Sequence, residues 1–326
     1  MYAEFFGITR SGKTNAALVF VSRCIKAVGA HALILDWKQD WRRILRTIKG
    51  RLYVLYTTEP RSDAKPLKWN PLVPPKGVDP ETWRDIVITW FYMTHDLDPR
   101  SYTLLREVLD ELYAERGIYD GNYSNPPTLK DMYERINAMY ERERKGRKVT
   151  FEQFDNMYVK TLAKLRYFMR GRLAKPYASK EHTGISELLS GVAVIEAGEI
   201  ADIHKPFILG LLALSAFYYR KFNGPSEVPE LIVIEEAHQV AFDPTVKEIA
   251  RGLNITESVF DKMVAEGAGF NQYLIFIAQH PATLSNGVLK NSGLIVVFKL
   301  IAEDAKHKGI QLIKDMLVRS TERAYI

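Results

Sequence analysis

Gly7-Ile8-Thr9-Arg10-Ser11-Gly12-Lys13-Thr14 is the stretch on which the fold turns. Ahead of it, Tyr2 to Phe6 is a short apolar and aromatic run that stops at a glycine. Behind it, helix-forming residues continue from Lys13 to about Val28. That is a strand, a glycine loop and a helix, and the eight residues fit G-x-x-x-x-G-K-[ST]. In this pattern the glycines let backbone N–H groups turn inward around phosphate oxygens. The lysine reaches the β- and γ-phosphates, and the final hydroxyl ligates Mg2+. The first helical turn aims its positive dipole end at the same anion. Gly7, Thr9, Arg10, Ser11, Gly12, Lys13, Thr14 and Asn15 are therefore the expected nucleotide-binding residues, with ATP and Mg2+ as ligands. A glycine turn before an ordinary helix is the bland alternative, and the position at a strand–helix junction counts against it.

A nucleotide hydrolase built on such a loop needs a second, acidic strand end to hold Mg2+ and orient the attacking water. Leu231-Ile-Val-Ile-Glu235-Glu236-Ala-His238 supplies one: four apolar residues bury a strand, and two carboxylates emerge where it ends. Glu235, with Thr14, is assigned to the metal, and Glu236 to water activation beside the catalytic Lys13. An acid-rich helix start is the competing explanation of the pair. His238 reads either as a nucleotide sensor or as a structural histidine. Leu274-Ile-Phe-Ile-Ala-Gln279 ends in an amide that can contact both γ-phosphate and water, so Gln279 joins the catalytic candidates. A Gln satisfied by local backbone is its alternative. Asp36-Trp37-Lys38-Gln39-Asp40 is another charged strand end on the expected catalytic edge, since ligands of open α/β sheets bind beyond the carboxyl ends of the strands.

Working outward, Ala32–Leu35, Leu52–Tyr56, Val192–Ile195 and Leu294–Phe298 are further short runs, apolar on consecutive positions. Strands apolar on both faces belong to a parallel sheet covered by helices, so the fold class is α/β. Prolines at 60, 66, 71, 74, 75 and 80 mark an irregular passage. From about Glu81 to Leu189 apolar residues recur at helical spacing, in 82–94, 101–116, 128–143 and 151–169. The stretch from Lys13 to Glu235 is on the order of twice what a bare core needs between these motifs. The expected organisation is a core of residues 1–80 and 190–326 with an all-helical insertion at 81–189.

With 326 residues and 47% hydrophobic composition, the chain has globular statistics. The single cysteine, Cys24, excludes an intramolecular disulfide framework and a multi-cysteine zinc site. The start of the chain does not read as a signal peptide, and Pro206 to Tyr219 falls short of the ~20 apolar residues that cross a bilayer. The latter reads as a buried helix. No integral membrane segment and a cytoplasmic location are expected.

The order of these motifs resembles the HerA/FtsK superfamily of ring-forming DNA-pumping ATPases, especially its HerA and type IV secretion branches. The matching pieces are GITRSGKT at 7–14, LDWKQDW at 35–41, WNPL at 69–72 and PTLKDM at 127–132. GVAVIEAGEI at 191–200, IVIEEAH at 232–238 and IAQHPATLSNGVLKN at 277–291 complete the set. The resemblance implies a RecA-like core, homo-hexamers, ATP bound between subunits and a pore lined for nucleic acid. Two departures stand out. The strand ahead of the loop begins at Tyr2, so the N-terminal barrel usual in HerA-like proteins is not expected. Val264–Phe270, where the family tends to place arginines that reach a neighbour's γ-phosphate, contains none. Arg251, Arg319 and Arg323 are the substitutes to consider.

The net charge of +6 gathers in two runs of the helical stretch. Arg142, Arg144, Lys145, Arg147 and Lys148 form one; Lys160, Lys164, Arg166, Arg170, Arg172 and Lys175 form the other, with no acid among them. Arg166, Arg170 and Arg172 are the DNA-contact candidates, although a solvated helix face explains the same residues. Tyr158, Tyr167 and Phe168 interleave with the second run as stacking or core aromatics. The expected function is an ATP-driven DNA translocase. The alternatives are a secretion or pilus-assembly ATPase with protein substrates at a membrane complex, and a subunit that binds ATP but barely turns it over.

Overall fold

The computed structural model describes residues 2–55, 62–146, 152–169, 182–241, 258–279, 281 and 284–300. Eight strands form one sheet: β1 (Ala3–Phe6), β2 (His31–Asp36), β3 (Arg51–Val54), β4 (Lys65–Pro66), β5 (Val192–Glu196), β6 (Glu230–Glu235), β7 (Gln272–Ala278) and β8 (Leu294–Val297). Their order is β4-β3-β5-β2-β6-β7-β1-β8, and every pairing is parallel. The central strands are buried almost without interruption, as helices on both faces require. β4 escapes a pattern-based reading because it is two residues long and contains a proline, which is tolerated there because β4 is an edge strand.

The helices sit where their apolar spacing puts them, and their ends are set by local chemistry. α1 (Lys13–Val28) stops at Gly29, which takes a left-handed conformation that a side chain would strain. α2 (Pro80–His95) starts on Asp79, whose carboxylate accepts from the Thr82 N–H at 2.8 Å, with Pro80 in the first turn. α3 (Pro99–Arg116) repeats the device with Asp98 and Pro99. α4 (Leu129–Gly146) opens on Thr128, which exchanges hydrogen bonds with Asp131: the Thr128 N–H donates to the carboxylate at 2.7 Å, and the Asp131 N–H donates to Oγ1 at 3.3 Å. α5 (Glu152–Arg166) runs into a 3-10 turn at Tyr167–Met169. α6 (Ile185–Leu189), α7 (Lys205–Asn223), α8 (Val259–Glu266) and α9 (Asn286–Asn291) are the remaining α-helices of the described residues.

Residues 206–219 lie within α7, and Phe207 through Phe217 are buried at every position. The helix is apolar all round because it is covered all round. Trp90 of α2 packs directly on α7, its indole N–H shared between the carbonyls of Pro206 and Phe207 at 3.2 and 3.1 Å. A Cβ at Gly210 would lie 2.3 Å from the Trp90 ring, so glycine is what lets the two helices approach. The helices between β4 and β5 therefore share one continuous hydrophobic cluster with the sheet. Burying an anchor of that size is worth about 1.5–3 kcal/mol in transfer alone.

The WNPL segment brackets this helical stretch. Asn70 donates through Nδ2 to the Pro127 carbonyl at 2.8 Å, and its Oδ1 accepts from the Leu72 N–H at 3.0 Å. Trp83 donates to the Pro71 carbonyl at 3.1 Å. Asn70 is fully buried, and its hydrogen bonds tie the proline-rich passage to the start of α4.

Candidate nucleotide and metal site

Parallel register assembles the site. Phe6 stands beside Ala278, Leu35 beside Ile234, Asp36 beside Glu196, and Glu235 beside Ile277. The carboxyl ends of β1, β7, β6, β2 and β5 thus form one row. Segments nearly the whole chain apart open there into one cleft of about 320 Å³, lined by Thr9, Arg10, Gly12, Lys13, Thr14, Asn15, Lys38, Asp40, Arg43, Glu235, Glu236 and Ile277.

On one side lies the glycine loop. Gly12 has φ +98°, open to glycine and strained for any side chain. A Cβ on Gly7 would meet Ser11 Oγ at 2.5 Å and Phe298 Cβ at 2.7 Å. Ser11 Oγ is buried with no hydrogen-bond partner among the described residues, and Lys13 Nζ rests on the Ile8 carbonyl at 3.3 Å. Burial pulls the Lys13 ammonium below its ordinary pKa, against the charges of Glu236 and Glu235. An orphaned hydroxyl and a desolvated ammonium facing a glycine loop fit an incoming polyanion.

On the opposite side are the acids. Glu235 accepts from Thr14 Oγ1 at 3.3 Å and from the Trp37 N–H at 3.2 Å. Burial, and then the charges of Asp36 and Asp40, push its carboxyl up to about 8. Burial also raises Asp36, although its carboxylate accepts the N–H groups of Trp41, Asp40 and Lys38. Glu236 behaves differently. Burial raises it, but hydrogen bonds from Lys38 and Gln279 and the charges of Lys38 and His238 win and hold it below the usual range. Its backbone is left-handed at φ +48°, an uncommon conformation for a non-glycine residue and one concentrated at functional sites.

Gln279 links the two sides. Its Nε2 donates to both oxygens of Glu236 at 3.0 and 3.3 Å, while Oε1 accepts from Thr9 Oγ1 at 3.1 Å. The amide is held by the glycine loop and the acidic strand rather than by its own backbone. His238 Nδ1 lies 3.6 Å from Glu236 Oε2, with Nε2 beside Gln239.

A divalent cation fits this donor set. Thr14 and Glu235 already meet, and the acids around them carry more negative charge than the buried edge holds comfortably. Among the described residues no cluster of three or more His, Cys, Asp or Glu forms a metal cage by itself. Mg2+ takes one or two protein oxygens and completes its octahedron with phosphate oxygens and water, and the Thr14 hydroxyl and Glu235 carboxylate are oxygens of that kind.

Lys38, Asp40 and Arg43 also line the cleft. The first two belong to the charged strand end singled out in the sequence, but no role could be read for them there; Arg43 was not singled out. Of the DNA-contact candidates, Arg166 is exposed, with Nη2 donating to Tyr133 OH at 3.2 Å. Arg170 and Arg172 lie outside the described residues, as do Arg251, Arg319 and Arg323. Tyr158 and Phe168 are core residues, packed on Tyr140 and on Phe91 and Phe207; Tyr167 is half exposed against His204. Core packing, not base stacking, accounts for the first two.

Residues 5–212 match the family described as the central domain of helicase HerA. Among solved structures, VirB4 of Thermoanaerobacter pseudethanolicus is similar at TM-score 0.69 and 17% identity, over 94% of this chain and 79% of that one. The bacterial conjugative coupling protein TrwBdeltaN70 is similar at TM-score 0.50 and 11% identity, over 93% of this chain and 65% of that one, so the chain spans under two thirds of its length. At these identities the likeness is one of fold, a RecA-like parallel α/β sheet with flanking helices. No curated protein matches the sequence.

Proposed function

The chain belongs to the family of the HerA central domain, and from that premise we propose that it is an ATP-driven DNA translocase working as a homo-hexameric ring, with ATP hydrolysed at subunit boundaries. The observation that carries the ATPase part is that Lys13, Thr14, Glu235 and Glu236 line one cleft, with Gln279 bridging its two sides. The backbone of residues 7–12 cradles the phosphates and Lys13 neutralises the β- and γ-oxygens. Thr14 and Glu235 hold Mg2+, which when bound shields the charge shared by those oxygens. Glu236 takes a proton from the attacking water, whose oxygen bonds to the γ-phosphorus as the bond to ADP breaks. Gln279 positions that water and reports through Thr9 whether the γ-phosphate is present.

The DNA part rests on the family and on charge. Arg142, Arg144 and Lys145 at the end of α4, and Lys160 and Arg166 on α5, are exposed. α4 and α5 pack on each other through Tyr140 and Tyr158, so both basic sets belong to one helical pair. In this reading residues 1–80 and 190–326 are the ATPase core, residues 81–189 are the helical unit that meets DNA, and the protein works in the cytoplasm.

The test is hydrolysis with and without DNA. Purified protein is expected to hydrolyse ATP in Mg2+, to lose activity in Lys13→Ala and to be stimulated by DNA at low salt. Replacing Arg142, Arg144, Lys145 and Arg166 together should lower the slope of log affinity against log salt by roughly 0.7–0.9 for each DNA phosphate that the protein no longer neutralises. Turnover indifferent to DNA at low salt would overturn the translocase assignment and favour a protein substrate.

A further inference from the structure

The catalytic carboxylate is already occupied. Lys38 Nζ forms an ion pair with Glu236 Oε1, and Gln279 donates to both oxygens of the same carboxylate. A carboxylate held by a cation and an amide is a poor acceptor for a proton from water. The backbone that carries Lys38 is fixed: the Asp36 carboxylate accepts the N–H groups of Lys38, Asp40 and Trp41, Glu235 accepts that of Trp37, and Lys205 Nζ donates to the Trp37 carbonyl at 3.1 Å. The side chain is not fixed. It is partly exposed, lines the nucleotide cleft and has four rotatable methylenes beyond an immobile anchor.

We propose that Lys38 is a γ-phosphate-operated latch: it holds Glu236 when no γ-phosphate is present, and moves onto the γ-phosphate when ATP binds. The proposal rests on the ATPase reading of the same site. Three phosphoryl oxygens carrying more than one negative charge outcompete a single carboxylate for an ammonium. Transfer of Lys38 therefore does two things at once. It frees Glu236 to accept a proton, and it brings a cation from within the subunit to the charge that develops on the γ-phosphoryl group. The second effect is what an arginine from a neighbour supplies in related enzymes, and Val264–Phe270 contains no arginine. ADP has no γ-phosphate, so Lys38 returns to Glu236 after phosphate leaves.

The test measures calorimetric affinities for the ATP analogue AMP-PNP and for ADP, both with Mg2+, beside steady-state ATP turnover. In Lys38→Met, AMP-PNP affinity is expected to fall roughly tenfold or more with ADP affinity unchanged, and kcat to fall on the order of 10²–10³-fold. Lys38→Arg should restore most of both. Glu236→Gln, which opens the latch from the other side, should bind AMP-PNP at least as tightly as the natural protein, and this arm decides the matter even if Lys38→Met folds poorly. Equal losses for AMP-PNP and ADP, no loss for either, or weaker AMP-PNP binding by Glu236→Gln would overturn the latch. If Lys13→Ala abolishes turnover while Lys38→Met keeps both kcat and the preference for AMP-PNP, the latch fails and the ATPase stands. If natural protein and Lys13→Ala turn over ATP equally, the ATPase reading itself fails.

Discussion

Strand β6 begins and ends on buried glutamates, and the fold treats them in opposite ways. At its amino end Glu230 is met by the Arg220 guanidinium, whose Nε donates to both carboxylate oxygens at 3.0 Å, and by Gln272 Nε2 at 3.2 Å. Five residues later Glu235 finds a threonine hydroxyl, one backbone N–H and two neighbouring acids. No guanidinium is paired with it among the described residues. The amino edge of the sheet is an architecture of cancelled charge. On the carboxyl edge Glu196 is paired with Arg42 and Glu236 with Lys38. Asp36 and Glu235, however, lie together there with no ion-pair partner among the described residues, and a folded chain tolerates that by keeping a proton there or by binding something of the opposite sign.

The largest expected difference between the two edges is catalytic. Glu236→Gln keeps the shape of the cleft and removes the proposed proton acceptor, so ATP turnover should fall by about 10²–10⁴-fold while the unfolding midpoint in denaturant hardly moves. A loss of stability parallel to the loss of turnover would mean that the carboxyl edge is structural, as the amino edge is.

The reverse substitution tests the other end. Arg220→Ala leaves Glu230 buried without its cation and should cost about 3–5 kcal/mol of folding free energy, read from urea unfolding. Replacing the pair together, Arg220→Met with Glu230→Gln, should recover much of it, because no orphaned charge remains. Glu235→Gln, by contrast, relieves a crowd of acids and should leave the nucleotide-free protein no less stable, while removing Mg2+-dependent turnover. If Glu235→Gln destabilised as strongly as Arg220→Ala, the distinction between the edges would disappear.

How much of this could be read from the chain depends on whether the signal is local. Six of the seven longer strands were legible because a parallel sheet covered on both faces forces consecutive apolar residues, the half-exposed edge strand β8 because its run is equally apolar, and the glycine loop because eight adjacent residues carry it. The carboxylate pair was legible from its position after such a strand, and the α/β sheet with the site along its carboxyl edge follows from these. β4 was not legible, since two residues with a proline carry no periodicity. Neither was the Lys38–Glu236 ion pair, which joins residues 198 positions apart. It exists because Leu35 and Ile234 are in register, and strand neighbours in a parallel sheet are set by crossovers rather than by sequence proximity. The WNPL segment shows the same limit. Its resemblance was visible as letters, but the bond from Asn70 to Pro127 that explains its asparagine appears only when the helical stretch folds back.

Glu4 lies between the two cases and sharpens them with the smallest effect. It is buried in β1 like Glu230, yet its partner is the Ser292 hydroxyl rather than a cation, and Oε2 has no hydrogen-bond partner among the described residues. Burial pushes its carboxyl from 4.5 up to about 8, with the Ser292 hydrogen bond opposing. Below pH 4.5 both folded and unfolded chains hold the proton and the raised value costs nothing. As pH climbs from 4.5 to 8 the unfolded chain releases a proton that the folded chain keeps, so stability falls by up to ~1.4 kcal/mol per pH unit and levels off above 8. Glu4→Gln has no proton to lose. Subtracting its unfolding free energy from that of the natural protein at each pH removes the titration of every other acid, including Asp36 and Glu235. That difference should be smallest near pH 4.5 and grow in favour of the glutamine towards pH 8. A difference that stays flat across the range would mean that Glu4 is ionised in the fold as it is in the unfolded chain, which would set it with Glu230 rather than with Glu235.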